Sequence, residues 1–181
     1  SSARNYGLKK ANGQYVTFVD SDDYLDEDYL SVLMADAAPT CISICFSKKV
    51  YENTREEQKE TKKQYSTEMI SNQEALYRFF QNNDYISAWG KIYPKAFFDE
   101  VEYPIGRIYE DYSTTYKLYS LATSVAVHEV RNYYYLMRNG SITRTTFVEK
   151  NLQVFDIIDE IDSYLKAGKF ESRIREASLG C

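Results

Sequence analysis

Three carboxylates stand close together in one short stretch of the chain. Asp20, Asp22 and Asp23 follow directly after residues 15–19, a run of β-branched and aromatic side chains that predicts a buried strand. In open α/β sheets, binding sites lie at the carboxyl ends of the strands. Adjacent carboxylates repel one another, so a cation or several hydrogen-bond donors must offset the repulsion. A hard divalent metal ion is a natural candidate, because such ions prefer oxygen ligands.

The same stretch has a second, purely local interpretation. Asp and Ser are common at helix N-termini, and Asp26, Glu27 and Asp28 would suit the first turn of a helix. The residue types alone leave helix capping and metal binding equally open. An EF-hand calcium loop is excluded, because Leu25 takes the position that needs glycine and Ser31 the position of the bidentate glutamate.

Two further segments carry groups that could do chemistry. Glu110 and Asp111 stand at the predicted start of a helix, where carboxylates stabilise the helix dipole and where a general base could also be held. Lys91 lies among apolar neighbours and fits either a surface lysine or a cation directed at phosphate. The one tryptophan, Trp89, fits core packing or stacking on a sugar.

Composition limits the class of protein. A chain of 181 residues with 44% hydrophobic and 27% charged residues fits one globular unit with a sizeable core. The net charge of −5 gives no general attraction to nucleic acid, so we expect no nucleic-acid partner. No apolar run approaches the roughly 20 residues of a membrane-spanning helix, and we expect a cytoplasmic protein. A single histidine excludes a histidine-rich zinc site, and three cysteines fit reduced thiols.

Hydrophobic spacing predicts the elements that must position these groups. A capping box at Ser71 marks one helix start, and Leu30 and Met34 are expected to face inward from another helix. The strand at 15–19 requires further strands, which we expect the sequence before Ser1 to supply as parallel partners. Helices are predicted over 3–11, 27–37, from 72, from 110 and over 152–165; strands over 15–19, 41–46 with an extension to 51, 125–127 and 133–137; a loop over 55–63 and a turn over 138–141.

Several segments become specific when they are considered together and in order. They are Ala3-Arg4-Asn5-x-Gly7-Leu8, Ala11-x-Gly13-x-Tyr15, Phe18-Val19-Asp20-Ser21-Asp22-Asp23, Trp89-Gly90-Lys91-Ile92-Tyr93, Glu110-Asp111, and Tyr133-Tyr134-Tyr135 with Gly140-Ser141-Ile142-Thr143. Over most of residues 3–145 the chain resembles family 2 nucleotide-sugar glycosyltransferases. The resemblance implies an α/β, Rossmann-like GT-A fold. Such enzymes begin with nucleobase-binding strands, so we expect the N-terminal part of the fold to be missing here and this fragment alone to turn over poorly.

The resemblance also implies a reaction. Asp22 would bind a Mn²⁺ or Mg²⁺ ion on the diphosphate of a nucleotide-sugar donor, and Asp20 would approach the nucleotide ribose or join the metal site. Asp23 would position either backbone or the donor sugar. The ion would stabilise charge on the departing nucleoside diphosphate. Asp111, assisted by Glu110, would accept the proton of an acceptor hydroxyl that attacks the anomeric carbon. Direct displacement of this kind inverts the anomeric configuration.

Other residues receive supporting roles from the same resemblance. Lys91 and Arg138 would contact the diphosphate, and Asn5 would lie near the donor. Arg4 would either contact the donor or brace residues 20–23, called the acidic turn below, through hydrogen bonds to their carboxylates. Trp89 would form part of the substrate-binding surface.

The predicted function is therefore a metal-dependent inverting glycosyltransferase. It would move a sugar from a nucleotide-diphosphate donor to a carbohydrate or glycolipid acceptor in polysaccharide or glycoconjugate synthesis. The alternative is a non-catalytic carbohydrate-binding or scaffolding module that retains the fold. A nucleotidyltransferase is less well supported, because the sequence lacks a glycine- and basic-rich phosphate loop. We divide the chain into a catalytic domain, 1–148, and a helical extension, 149–181; association with the inner face of a membrane and the oligomeric state are left open.

Overall fold

The computed structural model describes residues 1–51, 65–137 and 149–180. The predicted loop over 55–63 and turn over 138–141 lie outside these ranges. The α-helices are α1 (Ser2–Lys10), α2 (Tyr29–Met34), α3 (Asn72–Phe79), α4 (Asn83–Ile86), α5 (Glu110–Leu121), α6 (Gln153–Ala167) and α7 (Ser172–Leu179). The strands are β1 (Tyr15–Val16), β2 (Tyr24–Leu25), β3 (Cys41–Tyr51), β4 (Thr67–Ser71), β5 (Lys91–Pro94) and β6 (Ser124–Met137). Short 3₁₀ helices cover Lys95–Asp99 and Glu149–Leu152.

The sheet is mixed, in the order β1-β5-β3-β6-β2, with β4 also paired to β6. Its central pair, β3 and β6, is parallel, and the other pairs are antiparallel. Within the described chain β1 pairs antiparallel with β5, so the parallel partners expected from sequence before Ser1 stay a prediction. This strand is also shorter than predicted: it ends at Val16, and residues 17–19 lie outside the sheet before the carboxylates begin at Asp20.

Strand β6 is long and changes partners along its length. Its first part, Ser124–His128, pairs with β4, and its later part pairs with β2 at Tyr133 and Tyr134. Between the two parts the register with β3 shifts on both sides of Phe46. A bulge of this kind bends a strand and redirects its side chains. The two strands predicted at 125–127 and 133–137 are therefore one irregular strand.

The main core lies between the sheet and helices α3, α5, α6 and α7. The helix start at Ser71 is confirmed, because its hydroxyl accepts a hydrogen bond from the Glu74 N–H at 3.1 Å. The helix predicted at 152–165 is confirmed as α6, and the division of the chain at residue 148 stays a prediction. The buried side chains at the centre of this core include Ile42 and Ile44 of β3, Leu76 and Phe79 of α3, Leu118 of α5, and Ile157, Ile161 and Leu165 of α6.

A second, smaller cluster lies under the acidic turn. Tyr29 and Leu33 of α2 pack there with Tyr133 of β6. Leu30 and Met34 are exposed, so the prediction that they face inward is wrong. The reason is that α2 has only six residues and presents one face, at positions i, i+3 and i+4, to the sheet. Within the described ranges, no helix is both long and apolar enough to cross a bilayer.

Gly90 lies directly before β5 in a left-handed backbone conformation, and Gly7 of α1 provides a comparison. Gly90 has a φ of 71°, and a Cβ added there would lie 3.2 Å from the Cys45 carbonyl oxygen. Replacing Gly90 with Ala should therefore lower the free energy of unfolding by about 1–2 kcal/mol, the usual cost of a left-handed residue. Gly7→Ala, inside α1 with open space around it, should instead raise stability by about 0.5–1 kcal/mol. Urea denaturation measures the change in unfolding free energy of each variant. Equal changes in the two variants would contradict the left-handed conformation assigned to Gly90.

Candidate active site

One arginine joins the acidic groups that the sequence placed far apart. Nη1 of Arg4 donates hydrogen bonds to Glu110 Oε1 at 2.9 Å and to Asp111 Oδ1 at 2.6 Å. Nη2 of the same guanidinium donates to Asp20 Oδ1 at 3.1 Å. The Arg4 side chain is only 16% exposed. The structure therefore brings Asp20, Glu110 and Asp111 to one place, with Arg4 in the bracing role that was one of its two predicted roles.

Helix α1 is fixed so that Arg4 reaches this position. The next residue, Asn5, is buried and forms a reciprocal pair with the backbone of Tyr103: its Nδ2 donates to the Tyr103 carbonyl at 2.8 Å, and its Oδ1 accepts from the Tyr103 N–H at 3.0 Å. The Arg4 guanidinium lies 5.3 Å from the ring centre of Tyr103 and 6.0 Å from that of Phe18. The structure thus gives Asn5 a bracing contact, and its predicted position near the donor stays a prediction.

The acidic turn is held by a tyrosine from β6. The Tyr133 hydroxyl accepts a hydrogen bond from the Asp20 N–H at 3.1 Å and donates to Asp23 Oδ2 at 2.6 Å. The other oxygen of Asp23 accepts from the Leu136 N–H at 2.8 Å. Burial raises the pKa of Asp23, and the hydrogen bond from Tyr133 opposes that rise. Asp23 therefore connects the turn to β6 and positions backbone, which was the first of its two predicted roles.

Asp22 differs from its neighbours because it points outward. It is exposed, and among the described residues none donates a hydrogen bond to its carboxylate. Within the same ranges, no three His, Cys, Asp or Glu side chains are grouped closely enough to hold a metal by themselves. Mg²⁺ sites often use only one or two carboxylates and complete their coordination with water and substrate phosphates. One exposed carboxylate beside Asp20 is a donor set that fits a metal shared with a phosphate ligand.

The carboxylate of Asp111 is held from two sides at the start of α5. Its Oδ1 accepts from Arg4, and its Oδ2 accepts from the Ala88 N–H at 3.1 Å. The residue before the acidic pair, Tyr109, has left-handed backbone with a φ of 56°, and this sharp change of direction lets the helix begin at Glu110. The Asp111 side chain keeps 21% of its surface exposed.

The surroundings of Asp111 favour its protonated form more than water does. Burial is the largest influence and raises the pKa of Asp111. The positive charge of Arg4 opposes this rise, and the nearby negative charge of Glu110 adds to it. A carboxylate whose pKa lies above its ordinary value is better suited to accept a proton near neutral pH.

Lys91 does not lie where the sequence suggested. It has 0% exposure, and its ammonium group donates hydrogen bonds to the carbonyl oxygens of Asp84, Ser87 and Trp89. This placement corrects the assignment of Lys91 to the diphosphate, because its hydrogens are directed at backbone inside the protein. Burial lowers the pKa of Lys91 to about 8, and the charges of Asp84 and Asp111 oppose that shift.

Aromatic rings form one wall beside the acidic groups. Trp89 stacks on Tyr133, with ring centres 4.4 Å apart and planes at 11°, and on Tyr135 at 5.7 Å and 20°. Trp89 and Tyr135 are half-buried, whereas Tyr133 is buried. The aromatic wall is connected to both acidic segments. The Tyr133 hydroxyl binds Asp23 of the acidic turn, and the N–H of Ala88, the residue before Trp89, binds Asp111.

The sequence analysis missed two parts of this site, the Tyr133 hydroxyl and the Ala88 N–H. The structure does not test a third residue, Arg138. Tyr133 could have been found from the alternation of β6, since Tyr133 and Tyr135 must share a face. The Ala88 N–H carries no signal, because any residue except proline supplies one. Arg138 lies outside the described residues, so its contact with a diphosphate stays a prediction.

Comparison with known proteins defines the class. Residues 1–102 match the family described as Glycosyl transferase family 2. The chain belongs to this family. Its solved structural neighbours carry the GT-A fold, so the predicted fold is confirmed.

Three relatives illustrate the similarity. Glycosyltransferase GlyA of Streptococcus pneumoniae is 32% identical over 168 residues, which cover 80% of this chain and 22% of GlyA. Glycosyltransferase GlyG of the same organism is 29% identical over 157 residues, covering 81% of this chain and 52% of GlyG. A crystal structure of S. aureus TarS residues 1–349 with UDP-GlcNAc superimposes with a TM-score of 0.69 at 23% identity, over 97% of this chain and 50% of that chain. The chain thus spans between about a fifth and about half of these proteins.

Removing the guanidinium tests whether it holds the acidic groups together. Arg4→Met should lower the free energy of unfolding by about 2–4 kcal/mol at pH 7, because the carboxylates then lie close together without a cation. Loss of Arg4 raises the pKa of Asp111 further above its unfolded value, so the folded state binds more protons and the deficit should shrink as pH falls from 7 toward 4.

The matched control is Arg107→Met. Arg107 forms an ion pair with Glu160 at the surface, at 2.6 Å and 2.8 Å, and its loss should cost less than about 1 kcal/mol. Denaturation curves at several pH values measure both variants. Equal, pH-independent losses in the two variants would contradict the role of Arg4.

Proposed function

We propose that this chain contributes the metal-binding turn and the catalytic base of an inverting glycosyltransferase. The donor is a nucleotide-diphosphate sugar, and the acceptor is a hydroxyl of a carbohydrate or glycolipid. Membership of glycosyltransferase family 2 and the fold shared with TarS, which was crystallised with UDP-GlcNAc, support a nucleotide-sugar donor.

The observation that carries the proposal is the junction at Arg4. Asp20 belongs to the turn that would face the donor, and Asp111 is the group that would face the acceptor. Both bind the same guanidinium, at 3.1 Å and 2.6 Å. In a displacement reaction the group that binds the donor and the group that accepts the proton must lie close together, because the reacting atoms meet within one cavity. Binding to one guanidinium places Asp20 and Asp111 in this way.

Asp111 can accept a proton while it keeps its present contacts. An ionised carboxylate offers about four lone-pair positions. Arg4 and the Ala88 N–H use one on each oxygen, which leaves two for an acceptor hydroxyl. Fixing the carboxylate from both sides holds it in one orientation, and its raised pKa suits proton transfer near neutral pH. One base acting on an attacking hydroxyl gives inversion without a covalent intermediate.

Asp22, with Asp20, is the part of the chain that would hold a Mn²⁺ or Mg²⁺ ion. The exposed Asp22 carboxylate can bind an ion that the donor diphosphate also binds. Such an ion supplies Lewis-acid stabilisation of the departing nucleoside diphosphate. Asp20 keeps its bond to Arg4 on one oxygen and has its other oxygen for the ion or the ribose.

Activity of the full-length protein tests the proposal. Mass-spectrometric screening against a panel of nucleotide-diphosphate sugars with Mn²⁺ should detect sugar transfer or donor hydrolysis that EDTA abolishes. Asp111→Asn should reduce transfer by about 100-fold or more, since that is the usual effect of losing a general base. Asp22→Asn should abolish the response to Mn²⁺.

The control for both variants is Asp99→Asn, an exposed carboxylate outside the site, which should keep full activity. Asp111→Asn with full transfer would remove the base from the mechanism. A complete absence of donor turnover in the full-length protein would favour a carbohydrate-binding module that keeps the fold.

The aromatic wall gives a separate prediction about the acceptor. Trp89→Ala should raise the KM for a saccharide acceptor about 10-fold, or about 1.4 kcal/mol, while donor hydrolysis stays unchanged. Trp89→Phe should keep most of the affinity. Tyr24→Ala is the control, because Tyr24 stacks at 4.7 Å on Tyr134, which alternation places on the opposite face of β6. A rise in donor KM instead would assign the wall to the donor sugar.

A further inference from the structure

Lys91 is a buried cation that the mechanism above does not use. Its Nζ donates to the carbonyl oxygen of Ser87 at 2.7 Å, to that of Trp89 at 3.3 Å, to that of Asp84, and lies 3.4 Å from the Ser87 hydroxyl. All these acceptors belong to one short segment, residues 84–89. The side chain therefore reaches back from β5 and fastens the turn that precedes its own strand.

The fastened turn carries two contacts into the active site. The Ala88 N–H, between two of the carbonyls that Lys91 binds, donates to Asp111 Oδ2 at 3.1 Å. The next residue, Trp89, stacks on Tyr133, whose hydroxyl binds the acidic turn. A second buried bond holds the same turn, because the Tyr93 hydroxyl donates to the Ala88 carbonyl at 3.0 Å. Movement of the turn would therefore displace the donor of a hydrogen bond to the base.

Burying an ammonium group is costly unless its hydrogens and the surrounding charges compensate it. Three carbonyls take its three hydrogens here, and the ionisable groups that face it are Asp84 of α4, Asp111 of α5 and Cys45 of β3. A methionine would fill nearly the same volume but would leave the carbonyls of the turn without that donor. The hydrogen bonds that Lys91 donates therefore offset the cost of burying its charge, and the same bonds hold residues 84–89 in one conformation.

We propose that Lys91 is a positioning residue for the base: it fixes residues 84–89 so that the Ala88 N–H holds one oxygen of Asp111 in place for proton transfer. This inference rests on the proposed role of Asp111 in transfer. Lys91 touches neither donor nor acceptor. It acts on Asp111 through the turn, and its ammonium charge also lies near the Asp111 carboxylate.

The test compares the full-length protein with its Lys91→Met variant. With the donor that the panel selects, kcat of transfer should fall about 10- to 100-fold while the KM for that donor stays unchanged, because a misplaced base slows chemistry more than binding. The acidic limb of the kcat–pH profile should move to higher pH, since the variant weakens the Ala88 hydrogen bond, which lowers the pKa of Asp111, and also removes the nearby ammonium charge. Lys95→Met, at a partly exposed lysine four residues further on, should change neither quantity.

A second readout needs no substrate. Titration of the Asp111 carboxyl by ¹³C NMR, assigned with Asp111→Asn, should give a higher pKa in Lys91→Met than in the unaltered protein. Lys91→Gln keeps two N–H donors but, like Lys91→Met, loses the ammonium charge, so it should give a smaller rise than Lys91→Met and is the variant to use if Lys91→Met does not fold. Equal rises in the two variants would assign the whole effect to the lost charge and overturn the positioning role. An Asp111 titration that is identical in the variant and the unaltered protein overturns the proposal, whatever happens to the rate. If the panel shows no transfer, the proposed function fails, and the NMR titration still decides the role of Lys91.

Discussion

The site depends on a single positive charge that lies among negative ones. Two like charges about 4 Å apart repel by about 4 kcal/mol at an effective dielectric constant of 20, so three carboxylates could not stay together without a cation. The Arg4 guanidinium supplies that charge in planar form and spreads its donors over Asp20, Glu110 and Asp111. Helix α1, the acidic turn and the start of α5 are thus joined through one guanidinium.

The sheet supplies the rigid frame for this electrostatic junction. The bend in β6 directs Tyr133 toward the acidic turn, and the same strand receives Asp23 through the Leu136 N–H. The turn before β5 approaches from the other side with the Ala88 N–H and Trp89. Among the described residues, each acidic residue of the site except Asp22 has a protein donor within hydrogen-bond distance, so Asp22 is the carboxylate there that keeps its oxygens available to a ligand.

Local signals were predictable from the sequence, and contacts between distant segments were not. The cap at Ser71 and the apolar stripe of α6 depend on residues a few positions apart, so both were correctly predicted. The acidic groups were found from residue type, and family resemblance assigned their roles. Burial of Lys91 was missed because a lysine among apolar residues has the same pattern whether its amine reaches water or backbone carbonyls. The continuity of β6 was missed because a bulge interrupts the alternation on which strand prediction relies.

The central parallel pair has a consequence for how the chain acquires its structure during translation. Cys41 of β3 pairs with Ser124 of β6, and Arg4 binds Asp111 across 107 positions. A ribosome that has released β3 must therefore synthesise the chain as far as β6 before β3 can pair with its parallel neighbour. Until then the apolar edge of β3 is open to pairing with other chains, which is a common origin of aggregation in slowly folding sheets. The topology thus leaves this edge of β3 unpaired from its own synthesis until that of β6.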